Sequence, residues 1–128
     1  MNTAERGSTA VETVLAMTML TPLLFGIVSF GDALQRWIAQ DAATAQAARF
    51  AGEVGGDTPE VRALLADALR ASGIDPDRAE ITIAPPRVGW REPVTVRVAT
   101  THALGIPFVP PLALTLRSQF VARGEVNR

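Results

Sequence analysis

The chain contains no cysteine, which excludes disulfide scaffolds, thiolate metal sites and thiol catalysis but leaves the compartment open, because envelope proteins need no disulfides. It has no lysine either. All 12 cationic residues are arginine, interspersed with 13 acidic ones for a net charge of −1, so no basic stripe exists to follow a phosphate backbone and nucleic acid is not an expected partner. The single histidine, His102, stands between Thr101 and Ala103 with no Cys, Asp or Glu near it in sequence; it reads as a loop residue rather than a zinc ligand or base. Asp75-Pro76-Asp77 lacks the spacing of a calcium loop and reads as a turn, and Trp90, beside Arg87 and Arg91, reads as a hairpin tip. Gly-rich phosphate loops, nucleophile elbows and HExxH motifs are absent. No enzyme activity, catalytic residue, metal, cofactor or small-molecule substrate is therefore expected.

What is present is apolar and unevenly spread. The hydrophobic share is 48%, and much of it lies between residues 10 and 51. Between Glu12 and Asp32, nineteen consecutive residues, Thr13 to Gly31, carry no formal charge. As a helix they would extend about 29 Å, close to the hydrocarbon thickness of a bilayer. A chain of this length offers room for one compact domain, too small to surround a helix that is apolar on every side, so the run is predicted to cross a membrane. Pro22 should kink this helix without abolishing it, since membrane helices tolerate proline where neighbours re-satisfy the freed carbonyl. Gly31-Asp32-Ala33-Leu34-Gln35 lacks a small-x-small cleavage site, so the span is expected to stay attached. Arg6 against Glu5 on one side, and Asp32, Arg36 and Asp41 on the other, encode orientation only weakly.

The helix is predicted to continue past the bilayer. From Ala39 to Ala51 seven of thirteen residues are alanine, and nothing breaks the pattern before Gly52 and Gly55-Gly56. From Ser8 to Ala51 it would measure roughly 66 Å. Its small side chains would let a helix or a sheet approach closely. Trp37 suits the headgroup region and is the expected interface anchor. A second helix is punctuated by Thr58 as N-cap, Pro59 at its first position, Glu60 in its first turn and Gly73 past its end, with Val61, Leu64, Leu65, Ala68 and Leu69 on one face. After Gly73 the period becomes two: Ile81 and Ile83; Val94, Val96 and Val98; then Leu112, Leu114 and Leu116 toward Phe120. Three antiparallel strands are expected, covered by the second helix and the outer half of the first, in an α+β fold. The connection Thr101–Pro111 is oddly apolar for a surface loop; it either tucks over the end of the domain or offers a patch to a partner subunit or the membrane surface.

Ahead of the apolar run stands Arg6-Gly7-Ser8-Thr9-Ala10-Val11-Glu12, a short polar leader ending in glycine and then a lone carboxylate at the mouth of the span. A carboxylate within a span costs on the order of 2.5–3.5 kcal/mol at the centre and less near the interface, so Glu12 wants a cationic partner. A cut after Gly7 would put a new α-amino group on Ser8, about one helical turn away. This heptapeptide, with Thr21 to Leu34 (Thr-Pro-Leu-Leu-Phe-Gly-Ile-Val-Ser-Phe-Gly-Asp-Ala-Leu) and the Ala-rich Gln40 to Ala51, resembles the type IV prepilins, and within them the TadE/TadG-like pseudopilins of the Flp (Tad) pilus machinery. Thr13 departs from the aromatic residue usual after that glutamate, and Ser29 from the acidic residue that often precedes Phe-Gly.

The resemblance implies processing between Gly7 and Ser8 by a prepilin peptidase, an assembly role for Glu12, and partners among other pilin-like subunits and the Tad assembly proteins. It also implies a single-pass protein of the bacterial inner membrane, N-terminus cytoplasmic and C-terminal domain extracytoplasmic, with incorporation in a pilus as one outcome. Four regions are expected: a prepilin-type leader over residues 1–7, a transmembrane helix over 8–31, its outer extension over 32–52 and a small α+β extracytoplasmic domain over 53–128. The functional expectation is a structural minor pilin or pseudopilin. The competing reading is a membrane-tethered binding or accessory domain that never polymerises.

Overall fold

One helix, α1, runs unbroken from Thr3 to Val54 in a computed structural model that describes residues 3–127. Met1 and Asn2 of the expected leader, and Arg128, lie outside the described residues. At 52 residues α1 extends for about 78 Å. It ends three residues beyond the expected Ala51. Gly52 does not terminate it but removes a side chain where the C-terminal strand arrives: a Cβ there would sit 2.6 Å from the Arg123 carbonyl oxygen. The stop is made by Gly55 and Gly56, both at positive φ and both donating their N–H to Ala51 O, at 3.0 and 2.7 Å.

Helix α2 spans Pro59–Ala71 with the predicted punctuation. Thr58 Oγ1 accepts from the Val61 N–H, and Gly73, at φ 74, lets Ile74 N–H reach Leu69 O while its own N–H reaches Arg70 O. Asp57 holds Arg62 through two contacts of 2.6 and 2.8 Å, and that carboxylate raises the guanidinium pKa further. Asp75 accepts from the Asp77 N–H in a 3₁₀ turn over Pro76–Arg78.

The sheet is antiparallel in the order β1 (Glu80–Ala84), β2 (Pro93–Leu104), β3 (Leu112–Arg123). Directly opposed residues share a face, so the register Ile83↔Val96, Val98↔Ser118, Thr100↔Leu116 and His102↔Leu114 gathers one inner face. Val94, Val96 and Val98 are fully buried there, while Arg97, Thr101 and Arg117 alternate outward. The inner face lies on α1, and α2 packs on α1 beside it. Val61, Leu65, Leu69, Ile83 and the three β2 valines form one core with Ala43, Ala47, Ala48 and Ala51. Each of the larger side chains contributes about 1.5–3 kcal/mol by leaving water. The alanines contribute proximity.

Strand β2 is longer than its alternation suggests. Residues 101–104 belong to it, so the loop is Gly105–Pro111 and His102 is a strand residue, correcting the expectation that it sits in a loop. Thr100, Thr101 and His102 interrupt the apolar alternation, but pairing with Thr115, Leu114 and Leu112 extends the ladder to Leu104.

Candidate membrane and assembly site

Two halves of α1 share one backbone and differ in surroundings. From Thr13 to Phe30 the helix is apolar on all sides and its large side chains are exposed: Val14, Met17, Leu20, Leu23, Phe25, Ile27 and Val28 are each more than half exposed. Contiguous apolar surface of this extent is out of place in water and matched to hydrocarbon. The polar side chains in the run are satisfied without solvent. Thr13, Thr18 and Thr21 donate to the carbonyls four residues earlier at 2.7–2.8 Å, and Ser29 donates to Gly105 O at 3.0 Å. This is the one helix among the described residues long and apolar enough to cross a membrane, consistent with a single-pass protein.

The predicted site residues fall along this helix. Gly7, Ser8 and Glu12 are exposed on its first turns, and nothing lies within 4 Å of where a Gly7 side chain would begin. Ser8 and Glu12, four residues apart, share a face, at the 5–6 Å Cβ spacing of such pairs. Pro22 sits inside the helix, leaving the Thr18 carbonyl without its N–H partner, and α1 continues through it. Trp37 keeps its ring 42% exposed while its indole N–H donates to Arg117 O at 3.1 Å on β3, the last strand of the sheet. The structure brings Trp37 together with the sheet, and Gly7, Ser8 and Glu12 with one another, but the two groups are separated by the apolar run.

Just beyond the run lies a polar cluster that the sequence reading missed. Asp32 Oδ2 is 3.1 Å from both Arg36 Nε and His102 Nε2, and Arg36 also donates to Gly73 O at 3.0 Å. His102 thus has a carboxylate beside it after all, seventy residues away in sequence, which no local pattern reveals. Below this cluster every formal charge on α1 is absent until Glu12.

One turn further along, Gln40 is completely buried between helix and sheet. Its Nε2 reaches Val98 O at 3.0 Å and Leu116 O and Ser118 Oγ at 3.1 Å, its Oε1 accepts from Thr100 Oγ1, and Thr44 Oγ1 donates to its carbonyl. No buried side-chain polar atom among the described residues lacks a partner. Gln40 was legible in principle: with Ala33 and Ala47 it keeps a seven-residue spacing on the buried stripe.

A long apolar helix that continues as the spine of a small α+β domain defines the layout, one consistent with a single-pass membrane protein. Residues 7–49 match the family model described as TadE-like protein, over the segment that carries Gly7, Glu12, the uncharged run and most of the Ala-rich stretch. The match covers about a third of the chain. The C-terminal domain lies outside the match. No curated protein and no solved structure matches the chain.

Proposed function

We propose that the chain is a minor pilin or pseudopilin of the Tad machinery, stored in the bacterial inner membrane with its N-terminus cytoplasmic and its sheet domain outside. The observation that carries this reading is the pairing, inside the TadE-like segment, of an uncovered apolar rod with one carboxylate at its start and a glycine five residues before it. Cleavage after Gly7 by a prepilin peptidase leaves an ammonium on Ser8, and the Glu12 carboxylate at the edge of the hydrocarbon gains a cationic mate from the same or a neighbouring subunit. The uncovered faces of residues 11–30 then pack against similar helices of other pilin-like subunits. Pro22 supplies a bending point by freeing the Thr18 carbonyl, and Trp37 marks the outer headgroup level.

Mass spectrometry of the protein from cells with an active prepilin peptidase is expected to find Ser8 at the N-terminus; an intact leader would overturn the processing step. Replacing Glu12 with Leu is expected to abolish incorporation into assemblies while membrane insertion survives. Normal assembly of that variant would favour the tethered accessory domain instead.

A further inference from the structure

The sheet domain does not stand clear of the apolar run. The hairpin joining β2 to β3 reaches back along α1 and seats its tip beside residues that the proposed function places in the membrane. Gly105 O accepts from Ser29 Oγ at 3.0 Å, and Ile106 lies over Gly26, its Cδ1 3.8 Å from where a side chain would start. Ser29 and Gly26 are three and six residues below Asp32, hence about 4.5 and 9 Å down the helix axis from the first charge. That is the depth, about 5–10 Å, at which interfacial elements settle into a bilayer.

The tip has the chemistry for that position. From Ala103 to Leu116 there is no charged residue. Phe108 is 87% exposed, with Leu112 and Val109 exposed beside it. Phe108 also adopts φ 65, a left-handed conformation that a bulky side chain resists and that here points to function, because it is held with the ring in contact with almost nothing. The usual objection to irregular backbone near hydrocarbon is its unpaired N–H groups. Three of the seven loop residues, Pro107, Pro110 and Pro111, have none, and Val109 N–H is taken by Ile106 O. Above the tip, the Asp32, Arg36 and His102 cluster marks where strongly polar side chains resume on both elements at once. The groove between α1 and β3, lined by Phe30, Leu34, Trp37 and Leu114 with Thr115 and Arg117, carries mostly apolar surface from helix to hairpin.

We propose that the β2–β3 tip is a second membrane contact, its Phe108, Val109 and Leu112 side chains inserted among the lipids of the outer leaflet beside α1. The domain is then held to the bilayer at two points, which sets its rotation about the helix. This rests on α1 crossing the membrane.

Because the chain lacks cysteine, single-cysteine variants of the full-length protein carry one probe each. Phe108→Cys, Val109→Cys and Leu112→Cys, labelled with a polarity-sensitive fluorophore, are placed one chain per nanodisc of phosphatidylcholine and phosphatidylglycerol, with Leu23→Cys in the apolar run and Trp90→Cys at the far end of the domain as references. The tip probes are expected to shift to the blue, to lose quenching by iodide, and to be quenched by lipid nitroxides more strongly near the headgroup than deep in the chain. Val109→Cys and Leu112→Cys carry the test if Phe108→Cys misfolds. A lipid-quenched Leu23 probe with iodide-accessible tip probes overturns the insertion and leaves the span standing. Iodide access at Leu23 as well removes the span and the insertion together. Tip probes shielded from both quenchers show a protein-covered tip and overturn the lipid contact.

Discussion

The lower half of α1, up to Gly31, and its upper half, from Asp32 to Val54, form one continuous helix, yet they are built on opposite rules. Below, large apolar side chains point everywhere and nothing covers them. Above, one stripe of Ala33, Gln40, Ala43, Thr44, Ala47, Ala48 and Ala51 is buried under sheet and second helix, while Gln46, Arg49 and Glu53 face outward. A small residue in the upper half does more than a large one in the lower, because proximity of the sheet backbone depends on it. Hydrocarbon would solvate the lower surface in the proposed placement, whereas the upper surface must choose between protein and water.

Placing a charge in each half should break that comparison most clearly. Leu23→Arg, near the centre of the uncharged run, is expected to cost about 2.5–3.5 kcal/mol of insertion, whereas Gln46→Arg on the upper solvent face costs nothing measurable. A glycosylation-mapped insertion assay reads the difference, and equal insertion of both variants would show the lower half not to be lipid-facing. The buried polar centre of the upper half comes next. Gln40→Leu strands the Thr100 hydroxyl, Ser118 and two strand carbonyls, and is expected to lower the domain's stability in urea by about 2–3 kcal/mol.

Bulk sharpens the same contrast. Ala47→Leu, at a position with no exposed surface, is expected to cost about 1–3 kcal/mol by prising the sheet from α1, while Gly31→Leu, with open space around it, leaves the domain unchanged. Thermal melts in detergent would separate the two. The smallest effect lies away from both halves. The Glu60 carboxyl is held below its ordinary value of 4.5 by its own backbone N–H and by the Thr58 hydroxyl. A group with a lowered folded pKa stabilises above its unfolded value, and that contribution drains away as the pH falls through the folded one. Acidification below about 4.5 is thus expected to loosen the start of α2, an effect that Glu60→Gln removes from the pH profile of helix unfolding.

Much of this fold is legible from local spacing. The nineteen uncharged residues, the Thr58-Pro59 start and Gly73 stop of α2, and the alternating valines and leucines each predict an element that exists, since caps and periodicity act within a turn or two. The errors fall where distant segments meet. Gly52 looked like a stop and is a point of close approach to Arg123; Thr101 to Leu104 looked like a loop and are strand, because β3 pairs with them.

Length and the placement of charge by themselves determined that α1 would be a rod with an apolar end, and where along it charge begins and stops, since both follow from residue type and a fixed rise per residue. Tertiary structure alone decided that His102 would meet Asp32, that Gln40 would tie β2 to β3, and that the Gly105–Pro111 tip would come down beside Gly26 and Ser29. Those contacts join residues about sixty to eighty positions apart, and they are set by how a hairpin of two twelve-residue strands docks on an alanine stripe, a geometry that no single segment contains.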